Sequence, residues 1–183
     1  MEDPTVIMWI IMPAVVAVGL IIIHLRMAPR GEAASEEVSP GEPFSLEAAP
    51  EDGRAYKLWL SYSVTWPGPR KRGYGLFLDL DVEVNGSTVR SGRLKMGSDA
   101  VSAEDRQKIL AQPGGRRKLP DDVIFPSMVR VSRGRREGIM YEKATCAVCE
   151  TGSRPKGSRI SVRGTITSTE KTEVHSLRVF LAR

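Results

Sequence analysis

The sharpest chemical spacing in the chain is Cys146-Ala-Val-Cys149, which holds its only two cysteines. Two thiols at this spacing suit half a zinc site, a redox pair or a small disulfide loop. Side chains three apart on a regular strand face opposite sides, so the thiols converge only where the chain turns. A closed zinc site takes four ligands. The rest of the domain offers only His175 and acids such as Glu150, so a full site calls for a second copy of the chain. Cys146 and Cys149 are the candidate metal ligands, set against redox-active and purely structural roles.

Asp79, Asp81 and Glu83 form an alternating acidic row that invites a calcium reading. Calcium takes six or more oxygens, usually from clustered loops. Thr88, Arg90 and Arg93 stand on the next segment, and cross-strand pairing on a solvated face accounts for the acids better. His175 alternates in step with Leu177 and Val179 and reads as a partly buried structural residue. Asn85-Gly86-Ser87 fits a glycosylation acceptor, although a tight turn already explains the first two residues. The sequence has no Gly-x-Ser-x-Gly elbow, phosphate-cradling glycine loop or His-Glu-x-x-His pair. It predicts a protein that is not an enzyme and needs no cofactor.

Three basic clusters remain: Arg70-Lys71-Arg72, Arg116-Arg117-Lys118, and Arg130, Arg133, Arg135 and Arg136. All are expected in or beside turns. Sharing one end of the fold, they would form an anion-binding surface for anionic lipid head groups or an acidic protein partner. Nucleic acid is disfavoured, because neither interleaved aromatics nor a helix-turn-helix pattern supports base contacts.

The elements that must position these residues are mostly strands. Tyr56, Leu58, Leu60, Tyr62, Val64 and Trp66 alternate along 55–66, and Leu76, Leu78, Leu80, Val82 and Val84 along 75–84. Asn85-Gly86 predicts a two-residue hairpin turn with φ > 0 at both residues. Simple pairing from that turn would set Val82 against Val89, Asp81 against Arg90 and Leu78 against Arg93. One extra residue at Ser91-Gly92 repairs the apolar face, giving Asp79 with Arg93, Leu78 with Leu94 and Leu76 with Met96. Strands are also expected over 123–131, 138–145, 160–167 and 174–182, the last two joined as a closing hairpin by 168–172. One short helix is predicted over 102–112, opened by a capping-box-like Ser102-Ala-Glu-Asp105 and stopped by Pro113-Gly114-Gly115. The expected fold is all-β: a β-sandwich of seven or eight mostly antiparallel strands with one short helix.

A membrane anchor is expected ahead of it. Residues 5–23 run without a charge, long enough as a helix to approach the ~30 Å hydrocarbon core. The acidic Met-Glu-Asp-Pro start argues against a cleaved signal peptide. Arg26 and Arg30 follow the run and no cation precedes it, so the bulk of the chain is expected in the cytoplasm. The expected organisation is a tail (1–4), a transmembrane helix (5–24), an acidic flexible linker (25–54) and a basic domain (55–183). The linker carries seven acids, and Phe44 and Leu46 in it suggest a short first strand. The basic domain has 24 Lys and Arg against 13 Asp and Glu, a +11 excess that the whole-chain +5 conceals. Together these features predict a single-pass membrane protein that displays a binding or scaffolding module. The alternatives are a redox or metal role for Cys146 and Cys149, and an extracytoplasmic ligand-binding domain. The linker is also expected to fold back and screen the basic surface.

Overall fold

Period-two alternation becomes ten strands. The computed structural model describes residues 29–68, 73–101, 107, 122–124, 130–136, 138–152 and 155–183. Within them lie β1 (Ala34–Glu37), β2 (Pro43–Ala48), β3 (Lys57–Pro67), β4 (Leu76–Val84), β5 (Ser87–Met96), β6 (Val123–Ile124), β7 (Arg130–Arg136), β8 (Ile139–Glu150), β9 (Ile160–Ser168) and β10 (Glu173–Ala182). They form two five-stranded sheets in the orders β1-β10-β3-β8-β7 and β2-β9-β4-β5-β6. Pairing is antiparallel except for the two-residue parallel contact of β5 with β6. Among the described residues the expected all-β sandwich forms, with ten strands where seven or eight were expected.

Its core is the set of inner rows. Tyr56 through Trp66 on β3 and its approach, and Leu76 through Val84 on β4, are all buried at alternate positions. Ile160, Val162 and Ile166 add to one sheet, and Leu177, Val179 and Leu181 to the other. Each such side chain contributes roughly 1.5–3 kcal/mol of transfer free energy, which is why the inner rows decide the faces. Gly164 continues the β9 row without a side chain, because a Cβ there would strike the Asp79 backbone carbonyl and the Leu80 side chain.

Several expectations need correction. Residues 34–48 do not serve as a tether. β1 pairs with β10, and β2 pairs with β9 and buries Phe44 and Leu46. The sandwich begins at Arg30, whose N–H donates to the Arg183 carbonyl at 2.9 Å. Nor do β9 and β10 form a hairpin. They lie in different sheets, and the loop between them crosses over, held by Thr169 N–H to Gly75 O and Gly75 N–H to Thr172 Oγ1, both 3.0 Å. Alternation marks an inner face but does not say which sheet owns it.

The β4–β5 hairpin turns at Asn85 (φ 52°) and Gly86 (φ 76°), as the sequence requires. Asn85 also pins it to the β8–β9 connection, accepting from Arg159 N–H at 2.8 Å. Asp79 faces Arg93, Leu78 faces Leu94 and Leu76 faces Met96, as expected. The extra residue, however, is Val89 and not Ser91-Gly92. Pairing runs unbroken through Leu80 with Gly92 to Val82 with Arg90, and Asp81 meets Ser91. Either position returns Leu94 and Met96 to the interior. The chain takes the one nearest the turn, where a tight ribbon already twists strongly.

The apolar run at 5–24 and nearly all of the predicted helix at 102–112 lie outside the described residues. Among the described residues no helix is long and apolar enough to cross a membrane.

Candidate functional site

The two ends of the sandwich differ in charge chemistry. At the end where β10 finishes, three arginines are matched by acids from the expected linker. Arg178 pairs with Glu32 at 2.7 Å, Arg159 with Glu47 at 2.6 Å and Arg183 with Asp52 at 3.2 Å. The acidic segment does fold back, and among the described residues its ion pairs are with these arginines and not with Arg133, Arg135 or Arg136.

The opposite end is where β3 and β7 finish and β4 and β10 begin. Here Arg135 and Arg136 are exposed and make no ion pair among the described residues. They lie on β7, a strand where a turn was expected, paired with Met140 and Ile139 of β8. Arg70, Lys71, Arg72, Arg116, Arg117 and Lys118 fall outside the described residues. The residues that bound their segments belong to this same end. Gly68 donates to Gly138 O of the β7–β8 turn at 3.5 Å, and Asp122 accepts from Lys95 N–H at 2.7 Å beside Met96. Acids are present too: Asp122 also pairs with Lys95, and Glu173 accepts from Thr65.

Beside the two arginines stand Ile139 and Tyr141, 49% and 40% exposed, the large hydrophobic side chains left in solvent among the described residues. Both project from the outer face of β8, with Lys143 two residues on. The Tyr141 ring lies over its cross-strand neighbour Gly134, where any Cβ would collide with it. An aromatic ring covering a glycine on an edge strand keeps that strand in register.

The inner face of β8 holds what sequence inspection missed. Glu142 is 1% exposed within the apolar row of Met140 and Ala144. It accepts from Tyr62 Oη at 2.6 Å and from Arg133 Nε. Tyr62 spends its proton on Glu142, so Tyr74 donates to Tyr62 across 2.5 Å. Desolvation first, then neighbouring negative charge, pushes both phenols well above their ordinary range. The hydrogen bond from Arg133 to Glu142 raises the guanidinium further. Arg133 is thereby committed to the fold, whereas Arg135 and Arg136 are exposed and make no ion pair among the described residues. An acid on the buried row of Met140-Tyr-Glu-Lys-Ala144 was the available signal.

Cys146 and Cys149 lie on uninterrupted β8, not in a turn. Cys146 pairs with Leu60, Ala147 with Trp59 and Cys149 with Leu58, so Val148 is an extra residue. That bulge gives both cysteines the inward register of Leu58 and Leu60, a route to one face that simple alternation does not allow. Both are free thiols, Cys146 fully buried and Cys149 half-buried. Burial, with Glu142 nearby, pushes Cys146 up to about 12. Burial raises Cys149 to about 11 although Arg90 opposes it. Among the described residues no three His, Cys, Asp or Glu side chains group to hold a metal ion.

His175 is exposed, against expectation. It is the extra residue between Val174 and Ser176, and that bulge swings it to the outer face, where Nε2 meets Thr65 Oγ1 at 2.8 Å. Asp79 is held by Arg93 at 2.9 Å, and Asp81 accepts from Ser91 Oγ at 2.5 Å, so these two acids are spent on cross-strand pairs, while Glu83 stands opposite Thr88. No protein-family model matches the chain, and no curated protein is significantly similar to it.

Proposed function

We propose that the chain is a single-pass membrane protein whose β-sandwich is a binding or scaffolding module, presenting its Arg135/Arg136 end to a partner without catalysing a reaction. The observation that carries this reading is the pairing of two unmatched arginines with the exposed Ile139 and Tyr141. Exposed apolar groups rimmed by charge are the ordinary signature of an interaction surface. At the other end Arg159, Arg178 and Arg183 are each matched by an acid from within the chain.

The reach of the anchor favours a protein partner over lipid. Six residues separate the apolar run from Arg30, spanning at most about 20 Å. The Arg30 end is therefore held within that reach of the bilayer. Arg136 stands about 30 Å beyond it, since β3 runs the intervening length from Lys57 to Pro67. Arg26 and Arg30 favour a cytoplasmic domain.

The test uses the full-length chain with a C-terminal tag in sealed, right-side-out vesicles. The chain is expected to resist alkaline carbonate extraction, and externally added protease is expected to leave the tag intact. Release by carbonate would overturn the anchor. Digestion of the tag would place the sandwich outside, and extracytoplasmic partners would become the ones to seek.

A further inference from the structure

We infer that β7 is a docking edge for an extended acidic segment of a partner protein, which adds to the sheet as a further strand. This rests on the reading of the Arg136 end as the binding surface and gives that surface its partner chemistry. Among the described residues β7 is paired only with β8, so every second residue turns its N–H and C=O away from the sheet. Such an edge is a template for an incoming strand.

Charge on an edge often serves only to keep other strands away. Two features set β7 apart. Its sequence, RVSRGRR, holds four arginines and no acid, so it repels basic edges but attracts carboxylates. Its neighbour β8 leaves Ile139 and Tyr141 exposed on the face that Gly134 and Arg136 share. Gly134 offers no side chain, so a residue opposite it can pack on the Tyr141 ring. Arg133 is held by Glu142. The complementary segment therefore carries two adjacent carboxylates, opposite Arg136 and Arg135, followed by an apolar residue opposite Gly134.

A second copy fits less well. Two β7 strands would oppose arginine with arginine. The acidic edge β1 stands level with Arg178–Leu181, whereas Arg135 and Arg136 stand level with Trp66 and Pro67 at the other end of the sheet. Copies anchored in one bilayer would not bring those levels together. The chain's own Glu32, Glu47 and Asp52 are already engaged.

The experiment uses the full chain in nanodiscs of zwitterionic lipid and three synthetic seven-residue peptides. The first contains two adjacent glutamates followed by valine within a β-forming sequence. The second is identical but N-methylated at alternate backbone nitrogens, and the third has lysines in place of the glutamates. Affinity is read by fluorescence anisotropy, and amide hydrogen exchange is followed across 130–136. The first peptide is expected to bind and to slow exchange along β7. The other two, and an Arg135→Glu/Arg136→Glu variant with unchanged melting temperature, are expected to bind at least about tenfold more weakly. Equal binding of the methylated peptide would overturn strand addition and leave the surface reading intact. Failure of every acidic peptide, or indifference to the arginine substitutions, would overturn both. Exchange at β7 that is already slow and speeds on dilution would make a second copy the occupant. Protection by anionic vesicles in place of the peptide would make it the bilayer. Either result overturns the proposal.

Discussion

Arg133→Met is expected to destabilise the sandwich by about 3–5 kcal/mol, the usual cost of removing one partner from a buried ion pair. Glu142 is 1% exposed, while Arg133 reaches it from the edge strand with its side chain about half in solvent. Without the guanidinium, Glu142 keeps only the Tyr62 hydroxyl as a donor. Inside the sandwich that leaves a carboxylate without a counter-charge. The damage should be reversible by removing the rest of the network. Arg133→Met/Glu142→Leu/Tyr62→Phe/Tyr74→Phe is expected to return within about 2 kcal/mol of the parent, because a packed apolar substitute for a buried pair is often neutral or better, and Tyr74 must go too because its buried hydroxyl would lose its acceptor. Urea unfolding of the single and quadruple variants measures both. A small loss in the single variant would mean that water, not Arg133, satisfies Glu142. A quadruple variant as unstable as the single would mean that packing, not charge, sets the cost. Arg133→Met should also leave peptide binding to β7 nearly unchanged, which separates this arginine from Arg135 and Arg136.

What the sequence reveals about this protein depends on how local each signal is. Strand faces follow from alternation, and all eleven inner positions of the first two long segments are buried. The Asn85-Gly86 turn is equally local and equally legible. Three bulges are not. Val89, Val148 and His175 each shift the register by one residue, and each relocates a candidate chemical group. Val148 brings both cysteines inward, His175 swings itself out, and Val89 leaves Asp81 opposite Ser91. A bulge is set by the partner strand and the sheet's twist, neither of which a single segment carries. Composition misled in another way. The acids of 31–54 read as a solvated tether, yet only a few apolar residues, Phe44 and Leu46 among them, are needed to seat an edge strand. The arginines of 130–136 read as lying in or beside a turn, yet an edge strand tolerates charge on both faces.

Raising the pH from 8 to 11 is expected to cost the sandwich several kcal/mol, and Cys146→Ala to flatten that loss by roughly 2 kcal/mol. The sign follows from burial. An unfolded thiol titrates near 9, whereas the folded chain holds Cys146 at about 12 and Cys149 at about 11. Between those values the folded state retains protons that the unfolded state has released. Stability is full below about pH 9 and falls as the pH rises toward the folded values. Tyr62 and Tyr74, also shifted upward by desolvation, add to the fall above their ordinary range. Denaturant midpoints of the parent and Cys146→Ala chains across this window give the measurement, and parallel curves would remove Cys146 from the account. The same shifts bear on the redox alternative. At neutral pH only about one thiol in 10⁴ at Cys149, and one in 10⁵ at Cys146, would be ionised, and the thiolate is the nucleophile. Both should react with an aromatic disulfide reagent at least about a hundredfold more slowly in the native chain than in the unfolded one, Cys146 more slowly than Cys149. Fast native reaction at either residue would reinstate a redox function for the pair. Slow reaction at both would leave the cysteines as core residues and the Arg135/Arg136 end as the working surface.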